Sequence, residues 1–367
     1  MGCDHSPEMR YSDWSQRLHT QAGKCRIPIH GSVELTARCN LRCVHCFINQ
    51  PVADRAVREH ELSFAEWARL IDEIVAAGCL WLLITGGEPL VRPDFLDIYT
   101  YAKKRGLLIT LFTNGTLITP EIADHLARWR PFSVEITLYG HTRETYEAVT
   151  GVPGSFERCR RGIQLLLERN LPLTLKTMLL TMNASELDSM RAWAQGLGVD
   201  FRHDPMVNAR LDGSSQPCGY RLPPEQLVAL DLADKKSSQH WRERFRDIQY
   251  KPVIRDLFRC GAGWTSFHIG PAGIMSLCIT VRQPGVSLSR SSFKAGWEEV
   301  LLEARQQQWP EDNPCVTCAW LNICDQCPGW GMLEQGIPGG VVEYVCRTAH
   351  LRAAVFGAHH HPKEAEL

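Results

Sequence analysis

No stretch of the 367-residue chain approaches the roughly 20 consecutive apolar residues of a membrane helix. The opening Met1-Gly2-Cys3-Asp4-His5-Ser6 lacks both the charged start and the apolar core of a secretion signal. Net charge is missing too: 41 acidic residues face 40 basic ones, so there is no electrostatic footprint for nucleic acid or an anionic membrane. No internal repeat is present. The chain is therefore expected to be soluble and cytoplasmic, with neither nucleic acid nor membrane as a partner. A reducing compartment keeps thiols free, so the fifteen cysteines are not expected to form a disulfide framework. Dense cysteine without disulfides points instead to metal or redox chemistry.

Ten of the fifteen fall into two ordered groups, three near residue 40 and seven between 260 and 346. Cys3, Cys25, Cys79, Cys159 and Cys218 are scattered. The first group, Cys39-Asn40-Leu41-Arg42-Cys43-Val44-His45-Cys46, has the spacing C-x3-C-x2-C after a strand-like run. Four thiolates normally fill a [4Fe–4S] cluster. Three leave one iron open, and an open metal position is where substrate chemistry occurs. A zinc knuckle short of its fourth ligand has the same look.

From about residue 31 to 210, short apolar runs alternate with amphipathic stretches of helical length. Strands are expected at 33–36, 80–85, 107–113, 133–138, 173–180 and near 199–202. Helices are expected at 62–77, 95–104, 120–129, 156–169 and 185–197. This period means βα units and a parallel sheet, hence an α/β fold built as a partial (β/α)6 barrel. Ligands in such folds bind at the C-terminal ends of the strands. The cysteine motif, Gly86-Gly87-Glu88-Pro89, Thr113-Asn114-Gly115 and Thr137 all lie at such ends and are expected to share one mouth. After residue 210 a turn-rich stretch gives way to a helix at 223–232. From Cys260 the elements are short and cut by Gly, Pro and Cys, a region expected to depend on metal ligation. The division follows: extension 1–30, barrel 31–210, linker or bridging region 211–259, cysteine-rich domain 260–350 and tail 351–367.

The C-x3-C-x2-C motif, the aromatic His45 before its third cysteine and Gly86-Gly87-Glu88-Pro89 after the next strand resemble the radical S-adenosylmethionine (radical SAM) superfamily. That resemblance implies that Cys39, Cys43 and Cys46 hold a [4Fe–4S] cluster whose fourth iron is chelated by S-adenosylmethionine. It further implies reductive cleavage of the sulfonium to a 5′-deoxyadenosyl radical, which abstracts hydrogen from a substrate. Gly86, Gly87 and Glu88 match the segment that contacts the methionine amino group, and glycine backbone allows close approach there. Asn114, Thr137 and His45 match further cofactor-contacting positions. Relatives often carry Ser-x-Asp-Gly and Arg-Gly where this chain has Thr137-Leu138-Tyr139-Gly140 and Thr150-Gly151. Lys176 is the substitute carboxylate partner, with a plain ion pair inside the barrel as the other reading.

The remaining cysteines run Cys260-x12-Gly273-x4-Cys278, Cys315-x2-Cys318-x5-Cys324-x2-Cys327 and Cys346. This resembles the SPASM extension, which binds two auxiliary [4Fe–4S] clusters. By position, Cys260, Cys278 and Cys327 would hold the first, and Cys315, Cys318, Cys324 and Cys346 the second. The first is one thiolate short; Cys218 completes it, or the position is open to substrate. Zinc is the other reading of the C-x2-C pairs. Trp320 and Trp330 are read as packing around clusters, Cys79 as a core thiol, and His359-His360-His361 as a solvated tail.

SPASM enzymes mostly modify peptides. The expectation is a radical SAM enzyme that modifies a ribosomally synthesised peptide by crosslinking, thioether formation or epimerisation. Ile279 stands where formylglycine-forming relatives carry an acidic general base, which argues against that chemistry. About 30 residues precede the first strand, so leader recognition is expected to need a separate protein. Flavodoxin or ferredoxin is the expected reductant. The alternative is oxidation or rearrangement of a small metabolite, and a third reading is a non-catalytic iron–sulfur electron carrier.

Overall fold

The computed structural model describes residues 9–48, 50–247 and 255–357; Cys3 and His359-His360-His361 lie outside them. The first helix, α1 (Tyr11–Cys25), was not anticipated. It covers the N-terminal end of the barrel, where Trp14 and His19 pack on Trp81 and His19 Nε2 lies 2.5 Å from His30 Nε2. Then follow β1 (His30–Glu34), α2 (Phe64–Ala76), β2 (Trp81–Thr85), α3 (Phe95–Lys104), β3 (Leu108–Thr113), α4 (Pro120–Arg128) and β4 (Ser133–Thr137). Two helices, α5 (Arg143–Thr150) and α6 (Ser155–Leu167), precede β5 (Leu173–Met178), α7 (Leu187–Gly196) and β6 (Asp200–Asp204).

Local chemistry sets these limits. Ser63 and Glu66 form a reciprocal capping box that starts α2, and Trp67, Leu70, Ile71 and Ile74 form its buried stripe. Thr119 caps α4 with Pro120 in the first turn. Thr142 caps α5, and Gly151 ends it in the left-handed region at φ 65°. That helix occupies the segment whose polar surface residues, Arg143, Glu144 and Glu147, mask an apolar stripe of only Tyr146 and Val149.

Strands β1 to β6 lie parallel in sequence order, as expected for a (β/α)6 barrel. Alternate residues face the helices: Ile109 and Leu111 of β3, Val134 and Ile136 of β4, and Leu175 of β5 are all 0% exposed. The other set, including Phe112, Glu135, Thr137 and Lys176, lines the inner face.

The C-terminal region is built into the same sheet. After α8 (Pro224–Ala233) and α9 (Lys235–Arg246), β7 (Ser266–Ile269) pairs parallel with β1, and β8 (Ile274–Ser276) and β9 (Val286–Ser287) extend the sheet antiparallel. Phe267, Ile269, Met275, Phe293, Trp297 and Leu301 belong to the same continuous core as the barrel helices. Ligation alone therefore does not organise this stretch; apolar burial carries its first half. The rest, with α10 (Pro328–Gln335) and α11 (Glu343–Phe356), packs partly on Trp241 and Phe245 of α9. Trp320 joins that apolar cluster, its ring 5.7 Å from Phe245.

Because β7 shares a core with the barrel, Phe267→Ala is expected to cost about 3–5 kcal/mol and to lower one cooperative urea transition. A biphasic transition in which only the C-terminal half is weakened would contradict the shared core.

Candidate active site

The cysteine loop follows β1 directly and is held by backbone on two sides. Gly87 N–H donates to Thr36 O (2.8 Å) and Glu88 N–H to Arg38 O (2.9 Å). On the other side, Arg42 N–H donates to Thr150 O (2.9 Å) and Val44 N–H to Val149 O (3.0 Å). The two glycines are needed for the first pairing. A Cβ at Gly86, which has φ 145°, would lie 2.2 Å from Thr36 O, and one at Gly87 would lie 2.4 Å from Arg38 O. Their missing side chains make room for the protein's own backbone, a reason different from the ligand approach that the sequence suggested.

Glu88 is fully buried, and its carboxylate accepts from Thr113 Oγ1 (2.8 Å), Asn114 N (2.7 Å) and Leu90 N (3.1 Å). Burial pushes it up to about 7 against the pull of these donors. Its side chain thus ties the end of β2 to the end of β3. Asn114 donates through Nδ2 to Asn40 Oδ1 (2.9 Å) and, more loosely, to Cys39 Sγ (3.7 Å). Its Oδ1 accepts from Thr116 N and Oγ1, and Asn40 donates to the same Thr116 hydroxyl. Asn114 therefore positions the cysteine loop.

The three cysteines come together. Cys43 lies in the field of Cys46 and Cys39, and Cys39 in that of Cys46. Burial, with these neighbours, pushes the Cys43 thiol well up and Cys39 up to about 12, although Leu41 N–H donates to Cys39 Sγ (3.4 Å). A buried group of thiols that disfavour their own charge fits a bound cation that stabilises the thiolates. His45, buried beside them, is lowered to about 4 by burial and leaves Nδ1 without a hydrogen-bond partner. Its ring lies 5.2 Å from that of Tyr139.

Thr137 sits at the inner end of β4, in register with Lys176 of β5. Lys176 Nζ lies 3.3 Å from Glu135 Oε2 and packs over Phe112, and Arg202 of β6 shares the same carboxylate. Burial lowers Lys176 to about 7. The structure contains the ion pair of the second reading, at the inner end of the strand where the first would have the lysine meet the cofactor.

The later cysteines fall into two sets. Cys327 lies in the field of Cys278 and Cys260, and Gly329 packs tightly on Thr280, joining the two loops. Cys315 lies in the field of Cys318 and Cys346, and Cys324 in that of Cys315 and Cys346. The charged side chains that bear on Cys218 are Arg221 and Glu334, so it stands with neither set. Among the described residues, no three His, Cys, Asp or Glu side chains converge to the spacing of a single-ion site. Thiolates around a four-iron cluster stand wider apart than those around one tetrahedral ion. A cavity of about 990 Å³ lies against β6, lined by Arg191, Phe201, His203 and Leu230, and none of the expected site residues reaches it.

Several supporting residues escaped the sequence reading. Arg38, beside Cys39, is held by both oxygens of Glu61 (2.8 and 2.9 Å). Arg92 donates to Leu35 O and Leu62 O and pairs with Asp94. Glu34, 0% exposed at the end of β1, receives Arg282 in a bidentate pair (2.8 and 2.9 Å). Arg38 was visible as a cation next to the motif; its partners, scattered through the chain, left no local signal.

The strand ends thus gather buried Cys43 and half-buried Cys39 and Cys46 beside a glycine-backed loop, and residues 33–194 match the Radical SAM superfamily model. Over that stretch the chain is similar to the radical SAM superfamily, a likeness that implies a [4Fe–4S] cluster and S-adenosylmethionine. Mycofactocin maturase MftC of Mycobacterium tuberculosis is 28% identical over 351 residues, covering 92% of this chain and 87% of that protein. AdoMet-dependent heme synthase of Methanosarcina barkeri is 37% identical over 170 residues, 46% of this chain and 48% of that protein, so that match spans about half of either. In fold, the chain is similar to Streptococcus suis SuiB bound to precursor peptide SuiA, with TM-score 0.69, 17% identity, and 94% of this chain and 84% of that one covered. No helix among the described residues is long and apolar enough to cross a membrane.

Two expected outcomes follow from this geometry. Gly87→Ala forces a Cβ onto the Arg38 carbonyl, so stability should fall by about 1–3 kcal/mol and radical-site iron should be lost; normal iron content at normal stability would contradict the fit. Lys176 titrates near 7 in the fold against 10.5 ordinarily, so between those values the unfolded chain holds one more proton and stability rises with pH. Lys176→Met should remove that rise, seen as a flatter dependence of Tm on pH above 7. The same variant keeps its KM for S-adenosylmethionine if the lysine serves Glu135, and raises it if the lysine holds the cofactor's carboxylate.

Proposed function

We propose that the chain is a peptide-modifying radical SAM enzyme acting on a ribosomally synthesised precursor. Cys39, Cys43 and Cys46 hold the radical-generating cluster, with Gly86, Gly87, Glu88, Asn114, Thr137 and His45 around S-adenosylmethionine. Cys260, Cys278 and Cys327 hold one auxiliary [4Fe–4S] cluster, and Cys315, Cys318, Cys324 and Cys346 hold a second. When bound, the radical-site cluster and S-adenosylmethionine supply a 5′-deoxyadenosyl radical that abstracts hydrogen from the substrate.

The protein's own residues fix the geometry and keep water out. Asn114 and Leu41 direct N–H groups at the Cys39 sulfur. Val44, Val149, Leu180 and Val207 form an apolar packing beside the cysteine loop, with Tyr139 and Tyr220 against it. Glu88, its carboxylate spent on three internal donors and its backbone N–H on the Arg38 carbonyl, shapes the rim around a ligand. With Cys218 apart from both later sets, an open position on the first auxiliary cluster is favoured over a fourth thiolate.

What supports this reading is the nearness of Cys43 to Cys39 and Cys46, of Cys327 to Cys278 and Cys260, and of Cys315 to Cys318 and Cys346, on a chain similar to MftC over 92% of its length. The stronger identity to heme synthase is confined to 46% of the chain and speaks for the barrel, not the substrate. A peptide substrate, a flavodoxin or ferredoxin reductant, a separate leader-binding protein and a cytoplasmic location, consistent with so many free thiols, complete the proposal.

The test is anaerobic reconstitution with iron, sulfide and 5′-deoxyadenosine measured in one sample, beside a Cys39→Ala, Cys43→Ala, Cys46→Ala triple variant. About 12 irons should fall to about 8 with cleavage abolished, as three four-iron clusters require. About four irons with bound zinc would remove the auxiliary clusters. Cleavage that survives the triple substitution would overturn the assignment of the site. Co-expression with the precursor encoded nearest the gene should change that peptide's mass. An unchanged peptide with turnover of a small metabolite would transfer the activity to the alternative class.

A further inference from the structure

Beside the cysteine loop the surface carries arginines that nothing above employs. Arg42, inside the loop and one residue before Cys43, is exposed and donates Nη2 to Gly151 O at 3.1 Å. Gly151 ends α5, and three residues later Gly154 caps α6. The Arg158 guanidinium stands 3.1 Å from where a Cβ at Gly154 would lie, at the same turn. Arg161 follows three residues on, on the same helix face. Arg160 points toward α7, over the rings of Phe156 (5.6 Å) and Trp193 (5.8 Å), beside a cavity of about 220 Å³ that Gly140 and His141 also line.

Arg158, Arg160 and Arg161 are exposed. Among the described residues, none of these four arginines pairs with a carboxylate, whereas neighbouring Arg143 is neutralised by Glu157 at 2.8 Å. The acids of α5 are Glu144, exposed, and Glu147, half-buried, so the face keeps net positive charge. Arg42, Arg158 and Arg161 thus frame the turn at which Arg42 brings the cysteine loop to solvent, while Arg160 lies on the α7 side of the helix.

We propose that this face, Arg42, Arg158 and Arg161 around the Gly151–Gly154 turn, is the docking surface of a small acidic one-electron carrier of flavin or iron–sulfur type. The inference rests on the reading that Cys39, Cys43 and Cys46 form the radical site. One electron leaves the reduced carrier and enters that site; the carrier is oxidised by one electron, and no bond in it breaks. The location suits a carrier better than a substrate. The face lies on α5 and α6, in the outer helical layer, whereas a substrate must reach the inner face of the barrel. Electron-transfer encounters are small, with interfaces below about 1,200 Å² in total, and depend on charge steering more than on buried apolar area. The loop supplies a short way in, because Arg42 adjoins Cys43 in the chain.

The test uses the fully reconstituted enzyme, with a flavodoxin and a bacterial-type ferredoxin as separate probes. Binding of the oxidised carriers, read by calorimetry, involves no turnover. Arg158→Glu, Arg161→Glu in one chain should weaken binding of at least one probe tenfold or more. Wild-type affinity for that probe should fall as salt shortens the range of the charges. The corresponding double lysine variant should bind normally, which separates charge from folding. 5′-Deoxyadenosine formation should fall in the glutamate variant with the reduced carrier and stay unchanged with dithionite. Neither probe binding the wild type, equal affinity in the glutamate variant, or an equal loss with carrier and dithionite would each overturn the assignment. Weakened binding of an acidic substrate peptide, with carrier affinity intact, would give the face to the substrate and overturn it too. If wild-type enzyme makes no 5′-deoxyadenosine even with dithionite, the radical-site reading itself has failed, a result distinct from these.

Discussion

The site depends on one backbone pairing, that of Gly86-Gly87-Glu88 with Thr36 and Arg38. It places the end of β2 so close to the chain leaving β1 that only glycine fits at two consecutive positions. The consequences spread outward. Thr36 and Arg38 immediately precede Cys39, so fixing their carbonyls fixes where the first cysteine begins. Glu88, next in line, is carried into the interior, where three donors from β3 and its own turn hold the carboxylate. Burying a carboxylate costs free energy unless its lone pairs are occupied, and here they are. Three strand ends are thereby locked into one rigid rim before any ligand is considered.

Charge reinforces the rim from beneath. Arg38 and Arg92 are both about 5% exposed side chains gathered around Glu61, and Arg92 also serves two backbone carbonyls. Replacing one partner of such a group would strand a buried charge, which is worse than losing the attraction itself. The network therefore works mainly as a specification of geometry. The same holds at the far end of the rim, where Arg282, four residues after Cys278, reaches Glu34 at the end of β1. That pair joins the region of the later cysteines to the strand that precedes the first cysteines, and β7 joins them again through the sheet.

The barrel was legible in the sequence because its signals are local and periodic. The apolar run at 107–113, the helical spacing over 62–77 and the run of strand-end motifs each report on residues close in the chain. The misses share the opposite property. α1 buries only Ala22 fully, so its sequence has no strong apolar stripe. The pairing of β7 with β1 spans more than 230 residues and is fixed by a shared core around Phe267 that no short window contains. The cofactor candidates divide the same way. The cysteine positions were readable from spacing, whereas Glu88, Asn114 and Lys176 could be placed at strand ends but not assigned a direction. Each turned out to be bound largely to the protein itself, to Thr113, Asn40 and Glu135 respectively.

That outcome bears on how the site works. A radical intermediate is protected by rigidity and dryness more than by acid–base groups, and the side chains near the cysteine loop are arranged accordingly. His45 is kept neutral by burial, and the Tyr139 phenol is pushed well above its ordinary range by burial and by the nearby thiols. Neither group is poised to exchange a proton near neutral pH. Lys176 and Glu88, each brought to about 7 by burial, are deep in ion-pair or hydrogen-bond arrangements that serve the scaffold. The rim thus presents chiefly backbone, sulfur and apolar surface around the cysteines. Such a lining leaves the difficult chemistry to the cofactors and gives the chain the tasks of holding them still and excluding water.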